Sequence, residues 1–183
     1  MIIKNFIPSI FKIFLQNLVD SPYFEWHYMN NSLNYDTAKD QDGIFQFIHI
    51  IVDEQGNKSP HYEKIKPLLY FFELHTGLKV KGICRMKANL LTQRDISEDT
   101  NKLAIHTDVN INEKDYVSFI YYVNDSDGDT VIYNTDKTEI VERAPPVAGN
   151  CFWFKSNQFH NATPPKHHST RIVINCILQI DNE

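Results

Sequence analysis

Residues 151–179 read CFWFKSNQFHNATPPKHHSTRIVINCILQ, three apolar runs separated by polar turn residues and a Pro-Pro pair. The runs are Cys151–Lys155, Phe159–Ala162 and Thr170–Gln179. Short runs that are rich in aromatic and β-branched residues, and that are bounded by turn residues, are typical of β-strands. This stretch therefore predicts three consecutive strands, the last of them long.

The same pattern extends back towards the N-terminus as far as residue 79. Five further strands are predicted there, at Lys79–Leu91, Lys102–Asn110, Tyr116–Asn124, Thr130–Asn134 and Thr138–Ala144. Clusters of Asn, Asp, Gly and Pro mark turns between several of them. Eight short strands in one segment suit a jelly roll, in which two antiparallel sheets form a mouth at one end. We therefore expect a mainly β fold with flanking helices, a double-stranded β-helix of the cupin-like type.

The N-terminal part of the chain mixes helices with short strands. Apolar residues at helical spacing predict helices over Ser9–Val19 and Tyr62–Leu74, and Pro67 indicates a kink or a later start in the second helix. Strands are predicted at Tyr23–Tyr28 and Ile44–Val52, with a polar loop over Asn30–Asp42 between them. We expect both helices to pack on one sheet.

No internal repeat or low-complexity linker is visible, so we expect a single domain over residues 1–183. Within it, residues 1–78 are expected to support a jelly-roll core formed by residues 79–183.

Composition excludes several classes of protein. The 183 residues are 42% hydrophobic and 13% aromatic, as in a folded globular protein. A formal net charge of −5 argues against a nucleic-acid partner or an anionic membrane surface. No apolar run reaches membrane-spanning length and no signal sequence is recognisable, so we expect a cytoplasmic protein. Three widely spaced cysteines are expected to be buried free thiols, namely Cys84, Cys151 and Cys176.

The sequence His106-Thr107-Asp108 indicates a metal site when it is combined with His160. Side chains two residues apart on a strand point the same way, so His106 and Asp108 can bind one ion. Two imidazoles and one carboxylate are the facial triad that binds ferrous iron and leaves positions open. A surface pair is the alternative, because short patterns such as His-x-Asp often occur without a metal. The same ligands also bind zinc, although no distinct glutamate base for a hydrolytic zinc enzyme is visible.

Arg171 is a candidate anchor for a carboxylate ligand. It precedes the apolar residues Ile172-Val173-Ile174 on the last predicted strand. An inward-facing guanidinium without a partner would be costly there, whereas its planar fork suits a carboxylate. The alternative is an outward-facing, solvated arginine at the start of a strand.

The order His106, Asp108, His160 and Arg171 resembles the signature of the 2-oxoglutarate and iron(II)-dependent oxygenases. Within that superfamily, Ser118–Asn124 and Asp127–Thr130 resemble the prolyl-4-hydroxylase-like branch. Residues 85–91, RMKANLL, resemble small oxygenases encoded by phages, whose location would be the host cytoplasm. The resemblance spans about residues 80–180, over half of the chain.

This resemblance implies a role for each matching residue. His106, Asp108 and His160 would bind Fe(II), and Arg171 would pair with the distal carboxylate of 2-oxoglutarate. Tyr122 would donate a hydrogen bond to that same carboxylate.

Two positions depart from the family pattern. Asn89 stands near the place where many members carry a tyrosine, and we expect it to contact the co-substrate. The family's Arg-x-Ser is Arg171-Ile172-Val173 here, so Asn175, on the same strand face as Arg171, is expected to replace the serine. By analogy, Thr130 and Ala162 would line the pocket.

The activity that the resemblance implies is a dioxygenase reaction that hydroxylates an unactivated C–H bond. O₂ and 2-oxoglutarate are consumed, succinate and CO₂ are released, and ascorbate is a candidate reductant. A peptidyl prolyl residue is the candidate substrate within a wider class of peptides, proteins and small molecules.

Two alternatives stay open. One is a nucleic-acid demethylating dioxygenase, against which the acidic balance of the chain weighs. The other is a non-catalytic jelly-roll binding module. A measurement of 2-oxoglutarate turnover distinguishes a non-catalytic module from an enzyme.

Overall fold

The structure, a computed structural model, describes residues 1–30, 45–94, 105–110 and 112–181. Over these residues the chain forms short helices and antiparallel strands. The helices are α1 (Ser9–Val19), α2 (Tyr62–Ile65) and α3 (Pro67–Thr76). The strands are β1 (Ile2–Ile3), β2 (His27–Met29), β3 (Gln46–Val52), β4 (Val80–Thr92), β5 (Tyr116–Tyr122), β6 (Thr130–Tyr133), β7 (Ile140–Ala144), β8 (Cys151–Lys155), β9 (His160–Ala162) and β10 (Thr170–Ile180).

The strands form two antiparallel sheets. The large sheet has the order β1-β8-β5-β10-β4-β3-β2, and the small sheet has the order β7-β6-β9. The long central strands β4 and β10 pair over almost their whole length, from Thr170 opposite Thr92 to Ile180 opposite Val80. This arrangement confirms the predicted mainly β, jelly-roll architecture.

The two faces of the large sheet carry different residues because strand side chains alternate. On β5, Val117, Phe119 and Tyr121 belong to the core that includes the helices. Ile120 and Tyr122 belong to a second core with residues of the small sheet. One face of the large sheet is therefore a helix-covered packing surface, and the other face looks into the space between the sheets.

The helices pack on one sheet, as predicted. Leu15 of α1, and Leu68 and Phe72 of α3, are fully buried in the core of that sheet face. The second predicted helix is interrupted at Lys66, and α3 restarts with Pro67 in its first turn. Proline suits that position because the first helical N–H has no partner within the helix. Gly77, at φ 75°, ends α3 in the left-handed conformation.

The prediction of a strand over Lys102–Asn110 is wrong for the part of this segment that the structure describes. Residues 102–104 lie outside the described residues, and His106 forms only an isolated bridge with His160. The His106 N–H donates to His160 O at 3.0 Å, and the Asp108 N–H donates to Ser156 O at 2.9 Å. Two separate anchors hold this segment, so the chain bends between them and forms no regular ladder.

Smaller differences lie near the N-terminus. The predicted strand Tyr23–Tyr28 is reduced to His27–Met29, because the Phe24 N–H donates to Ser21 O in a turn. The two-residue strand β1 was not predicted. Ile44 and residues 31–42 of the predicted polar loop lie outside the described residues. The three cysteines are free thiols, and Cys151 and Cys176 are buried. None of the helices that the structure describes is long and apolar enough to cross a membrane.

Candidate metal centre and anion pocket

His106, Asp108 and His160 meet at one end of the space between the sheets. Nε2 of His160 is 3.5 Å from Oδ2 of Asp108, and Nε2 of His106 is 4.0 Å from Oδ1 of Asp108. The candidate ligand atoms of the three residues all lie within 4.8 Å of one another. Among the residues that the structure describes, no other group of three or more His, Cys, Asp or Glu is so arranged.

Backbone pairing brings the two histidines together. His106 and His160 exchange both backbone hydrogen bonds, at 3.0 and 2.9 Å, and their ring centroids are 4.4 Å apart. Nδ1 of His160 is 2.9 Å from the carbonyl oxygen of Gln158. With Nδ1 donating to that carbonyl, Nε2 keeps its lone pair and faces Asp108 as a ligand atom. The Phe154 ring packs against His160 with centroids 4.7 Å apart.

The Asp108 side chain is held by contacts of its own. Only 2% of the side chain is exposed, the Ser118 hydroxyl donates to Oδ2, and Nη2 of Arg85 is 3.6 Å from Oδ1. The hydroxyls of Ser118 and Ser156 are in turn 2.9 Å apart. Such supporting hydrogen bonds fix the orientation of a ligating carboxylate.

Burial and charge act in opposite directions on Asp108. Burial raises the pKa of its carboxyl, whereas the two imidazoles, the Ser118 hydroxyl and the Arg85 guanidinium lower it. The attractive contacts prevail, so the pKa of Asp108 lies below its ordinary value. The carboxylate is therefore ionised at neutral pH, which metal ligation requires.

The donor set fits Fe(II). Imidazole nitrogens and one carboxylate oxygen are the facial-triad ligands, and the open side of the group faces a cavity that His106 and His160 line. The assignment of His106, Asp108 and His160 as ligands remains a prediction that this geometry supports.

Arg171 lies inside the same cavity, and not on the surface as the alternative had it. It is 2% exposed, its Nε donates to Gly128 O at 2.6 Å, and its Nη2 donates to Thr130 Oγ1 at 2.8 Å. Across the described residues no carboxylate pairs with its guanidinium. A buried cation without a counter-ion is costly, so this end of the cavity is suited to an anionic ligand.

Tyr122 and Thr130 support Arg171. The Tyr122 hydroxyl lies 2.9 Å from Thr130 Oγ1 and 3.2 Å from Ala144 O, and the guanidinium carbon of Arg171 lies 5.8 Å from the centre of the Tyr122 ring. Burial is the main cause that raises the pKa of Tyr122 to about 12, so its hydroxyl stays protonated. Thr130 lines the cavity, whereas Tyr122 lies behind it. A direct contact between Tyr122 and the co-substrate stays a prediction.

Asn89 and Asn175 both line the cavity, beside Ala162. Nδ2 of Asn89 donates to Gln46 Oε1 at 2.7 Å. The side-chain oxygens of Asn89 and Asn175 are buried and have no hydrogen-bond partner among the residues that the structure describes. An unsatisfied buried polar atom is unfavourable, which supports a ligand or water contact at both amides. Their roles toward 2-oxoglutarate stay predictions.

Several cavity residues were missed in the sequence. Lys87 and Gln46 line the cavity, and Gly128 accepts the hydrogen bond from Nε of Arg171. Lys87 shares one face of β4 with Asn89 and Leu91, but the sequence alone does not show that this face lines a cavity. No pattern marks Gln46, and the resemblance at Asp127–Thr130 gave Gly128 no role, since both positions depend on how separate strands and loops meet.

Gly128→Ala is expected to weaken 2-oxo acid binding and to lower stability. A Cβ at this position would lie 2.3 Å from Thr163 O, 3.0 Å from Cδ of Arg171 and 3.1 Å from the carbonyl carbon of Pro164. Because backbone atoms must move to admit it, we expect a loss of about 1–3 kcal/mol in the free energy of unfolding, as in other overpacked sites. Thermal unfolding and 2-oxoglutarate titration measure the two effects.

The matched control is Gly82→Ala on β4, where an added Cβ would meet only Gln179 Oε1, at 3.7 Å. Equal behaviour of the two variants would contradict the close packing of Gly128 against Arg171.

Comparisons with known proteins agree with this site. Residues 92–179 match the model of the 2OG-Fe(II) oxygenase superfamily. No curated protein sequence matches the chain significantly. The matched residues contain His106, Asp108, His160 and Arg171. This part of the chain is therefore similar to the 2-oxoglutarate and Fe(II)-dependent oxygenase superfamily.

Solved structures share the fold over nearly the whole chain. A Pseudomonas putida prolyl-4-hydroxylase is 14% identical, with a TM-score of 0.60, covering 98% of this chain and 91% of that chain. A Trichoplax adhaerens prolyl hydroxylase, solved with a peptide fragment of the hypoxia inducible factor oxygen degradation domain, is 18% identical, with a TM-score of 0.65 and coverages of 98% and 82%. A non-heme alpha ketoglutarate dependent epimerase, SnoN from nogalamycin biosynthesis, is 10% identical, with a TM-score of 0.61 and coverages of 98% and 76%.

These likenesses confirm the jelly-roll fold predicted from the sequence. Fe(II) as the metal and 2-oxoglutarate as the co-substrate follow from the family match and from the His-Asp-His group.

Proposed function

We propose that this protein is a dioxygenase that couples decarboxylation of 2-oxoglutarate to hydroxylation of an unactivated C–H bond, with a peptidyl prolyl residue as the substrate. One observation carries the proposal: two members of the His-Asp-His group, His106 and His160, line the same cavity as Arg171, whose guanidinium pairs with no carboxylate among the described residues. A metal group alone fits many reactions, but a buried arginine facing it selects for an anionic co-substrate.

Different residues of the cavity would bind the metal and the co-substrate. His106, Asp108 and His160 would hold Fe(II) on one face, and the bound iron supplies the oxidative chemistry. Arg171 and Thr130 would bind the distal carboxylate of 2-oxoglutarate. Hydrogen bonds to charged groups are worth roughly 1.5–3 kcal/mol each, enough to select a dicarboxylate over a monocarboxylate.

Apolar side chains complete the cavity. Leu91, Ile120 and Val173 line it together with His106, His160 and Arg171. Apolar walls exclude water, and charge–charge interactions are stronger in a site of low dielectric constant.

The proposed prolyl substrate is supported by analogy. Two of the structures that share the fold are prolyl hydroxylases, and one was solved with a peptide fragment. We also propose that residues 1–183 form a single oxygenase domain, because β1, β2 and β3 from the N-terminal part extend the same sheet as β4, β5, β8 and β10.

Two measurements test the proposed function. First, Fe(II) and 2-oxoglutarate are added under anaerobic conditions, and we expect the weak visible charge-transfer band of iron chelated by a 2-oxo acid. Second, succinate release is measured in air with proline-containing peptides, free amino acids and single-stranded nucleic acids. Stimulation by the peptides supports the proposal, and stimulation by nucleic acid alone would favour demethylation. Absence of both the band and succinate would leave a non-catalytic binding module.

A further inference from the structure

We propose that Lys87 forms a second anion subsite at the metal end of the cavity, where its ammonium pairs with the carboxylate next to the keto group of the 2-oxo acid. This inference rests on the proposed function and adds a specificity-determining residue to it. Arg171 would then hold one end of the co-substrate, and Lys87 would hold the other.

Strand register places Lys87 next to the metal group. Arg85 and Ser118 both contact Asp108, and both lie opposite Ile177 of β10. The next row on the same sheet face consists of Lys87 and Ile120, both opposite Asn175. Lys87 is therefore one same-face step along β4 from a residue that holds Asp108.

The same register separates Lys87 from Arg171 by the length of a small ligand. Arg171 lies opposite Leu91, which is four residues beyond Lys87 on β4. Four residues of a strand span roughly 13 Å of backbone. Both side chains are long and both line the cavity, so their charged ends can approach each other across that span. The space between them suits a linear diacid with a charge at each end.

Lys87 has no counter-ion of its own. Among the described residues, no hydrogen bond or ion pair is made by its ammonium, although the side chain is partly buried. Burial, helped by the positive charge of Arg85, lowers the pKa of Lys87 to about 8, while Asp108 acts in the opposite direction. A bound anion would relieve this cost.

A divalent metal held by Asp108 would increase the repulsion that Lys87 experiences. An anion that lies between the metal ion and the Lys87 ammonium is attracted by both cations, and this attraction offsets the repulsion between them. The carboxylate that adjoins the keto group would lie in this place if it and the keto oxygen bound the metal. The dianion 2-oxoglutarate therefore matches Lys87 and Arg171, two cavity-lining cations that form no ion pair with a carboxylate of the described residues.

Three ligands that differ only at their ends test the inference. 2-Oxoglutarate carries both carboxylates, 2-oxopentanoate lacks the distal one, and 4-oxopentanoate lacks the one beside the keto group. Their dissociation constants are measured by calorimetry on the Mn(II)-loaded protein and on the metal-free protein, for wild type, Lys87→Met and Arg171→Met. Lys81→Met, which removes an exposed lysine of the same strand paired with Asp181, is the matched control.

For Lys87→Met we expect the dissociation constants of 2-oxoglutarate and 2-oxopentanoate to rise about tenfold or more, because one charge-assisted contact is lost. Binding of 4-oxopentanoate and of Mn(II) should stay at the wild-type level. Arg171→Met should show the complementary pattern, with 2-oxoglutarate and 4-oxopentanoate weakened and 2-oxopentanoate retained.

Each other outcome overturns the assignment in a recognisable way. Equal weakening of all three ligands would make Lys87 a structural residue. Unchanged 2-oxoglutarate binding in Lys87→Met, with Arg171→Met weakened, would leave the proposed function standing and reject the subsite; an anionic group on the hydroxylated substrate would then be the ligand of Lys87. If wild type binds no 2-oxoglutarate, the proposed function itself fails.

Discussion

Asp108→Ala is expected to abolish iron retention and turnover together. The substitution removes one of three candidate ligand residues and the only carboxylate of the His106–Asp108–His160 group. Loss of a residue that only supports a ligand typically costs 10–100-fold in metal affinity, so we expect a loss above roughly a hundredfold for a ligand itself. The two imidazoles would remain close to each other, because backbone hydrogen bonds set their separation.

Metal-dependent stabilisation measures this loss without relying on turnover. A ligand that binds only the native state raises the free energy of unfolding by about 2.7 kcal/mol at a hundred times its dissociation constant. Fe(II) under anaerobic conditions, or Mn(II) in air, should therefore raise the melting temperature of wild type and leave that of Asp108→Ala unchanged. Asp20→Ala, at an exposed position just after α1, is the control. A normal metal-dependent shift in Asp108→Ala would contradict the assignment of this carboxylate.

Arg171→Met is expected to keep iron and to lose 2-oxoglutarate. The variant removes the guanidinium group, which could form two hydrogen bonds with a carboxylate of the co-substrate. Charge-assisted hydrogen bonds are worth roughly 1.5–3 kcal/mol each. We therefore expect the 2-oxoglutarate concentration for half-maximal succinate formation to rise by about two orders of magnitude. The metal-dependent shift in melting temperature should match that of wild type, since Arg171 contacts none of the three candidate ligand residues.

The stability of Arg171→Met provides a second, independent readout. In the ligand-free protein Arg171 is a buried cation whose recorded hydrogen bonds go to neutral oxygens, of Gly128 and Thr130. Taking a charge out of water without a carboxylate partner is costly, and replacing it by an apolar side chain of similar volume removes that cost. The ligand-free variant should therefore melt no lower than wild type, and only wild type should be stabilised strongly by 2-oxoglutarate.

Arg143→Met, which removes a half-exposed arginine of the small sheet 3.4 Å from Asp129, is the matched control. If Arg171→Met and this control reach half-maximal succinate formation at the same 2-oxoglutarate concentration, Arg171 is rejected as the anchor.

Strands that read as apolar runs bounded by turn residues were predicted closely. Strand β8 has the predicted bounds, and β10 extends one residue beyond the prediction. The segment at His106–Asp108 was predicted wrongly as a strand, because its structure depends on two backbone contacts, with His160 and Ser156, that no local periodicity reports.

Residues of the candidate site could be predicted where a charged side chain stands next to a clearly apolar strand. Arg171 stands beside residues that are clearly apolar, so an inward side chain could be inferred from its cost. Lys87 was not inferred, because lysines are mostly exposed and a partly buried one cannot be recognised without the opposite sheet. Gly128 was missed because its importance comes from the close approach of Thr163 and Pro164, which are distant in sequence.

The reciprocal backbone pairing of His106 with His160 has a consequence for how the metal is acquired. Main-chain hydrogen bonds hold the backbones of His106 and His160 side by side, so the two imidazoles are brought close to each other without help from a cation. Little conformational entropy remains to be lost on loading, and metal exchange in the native protein should proceed without any opening of the sheets.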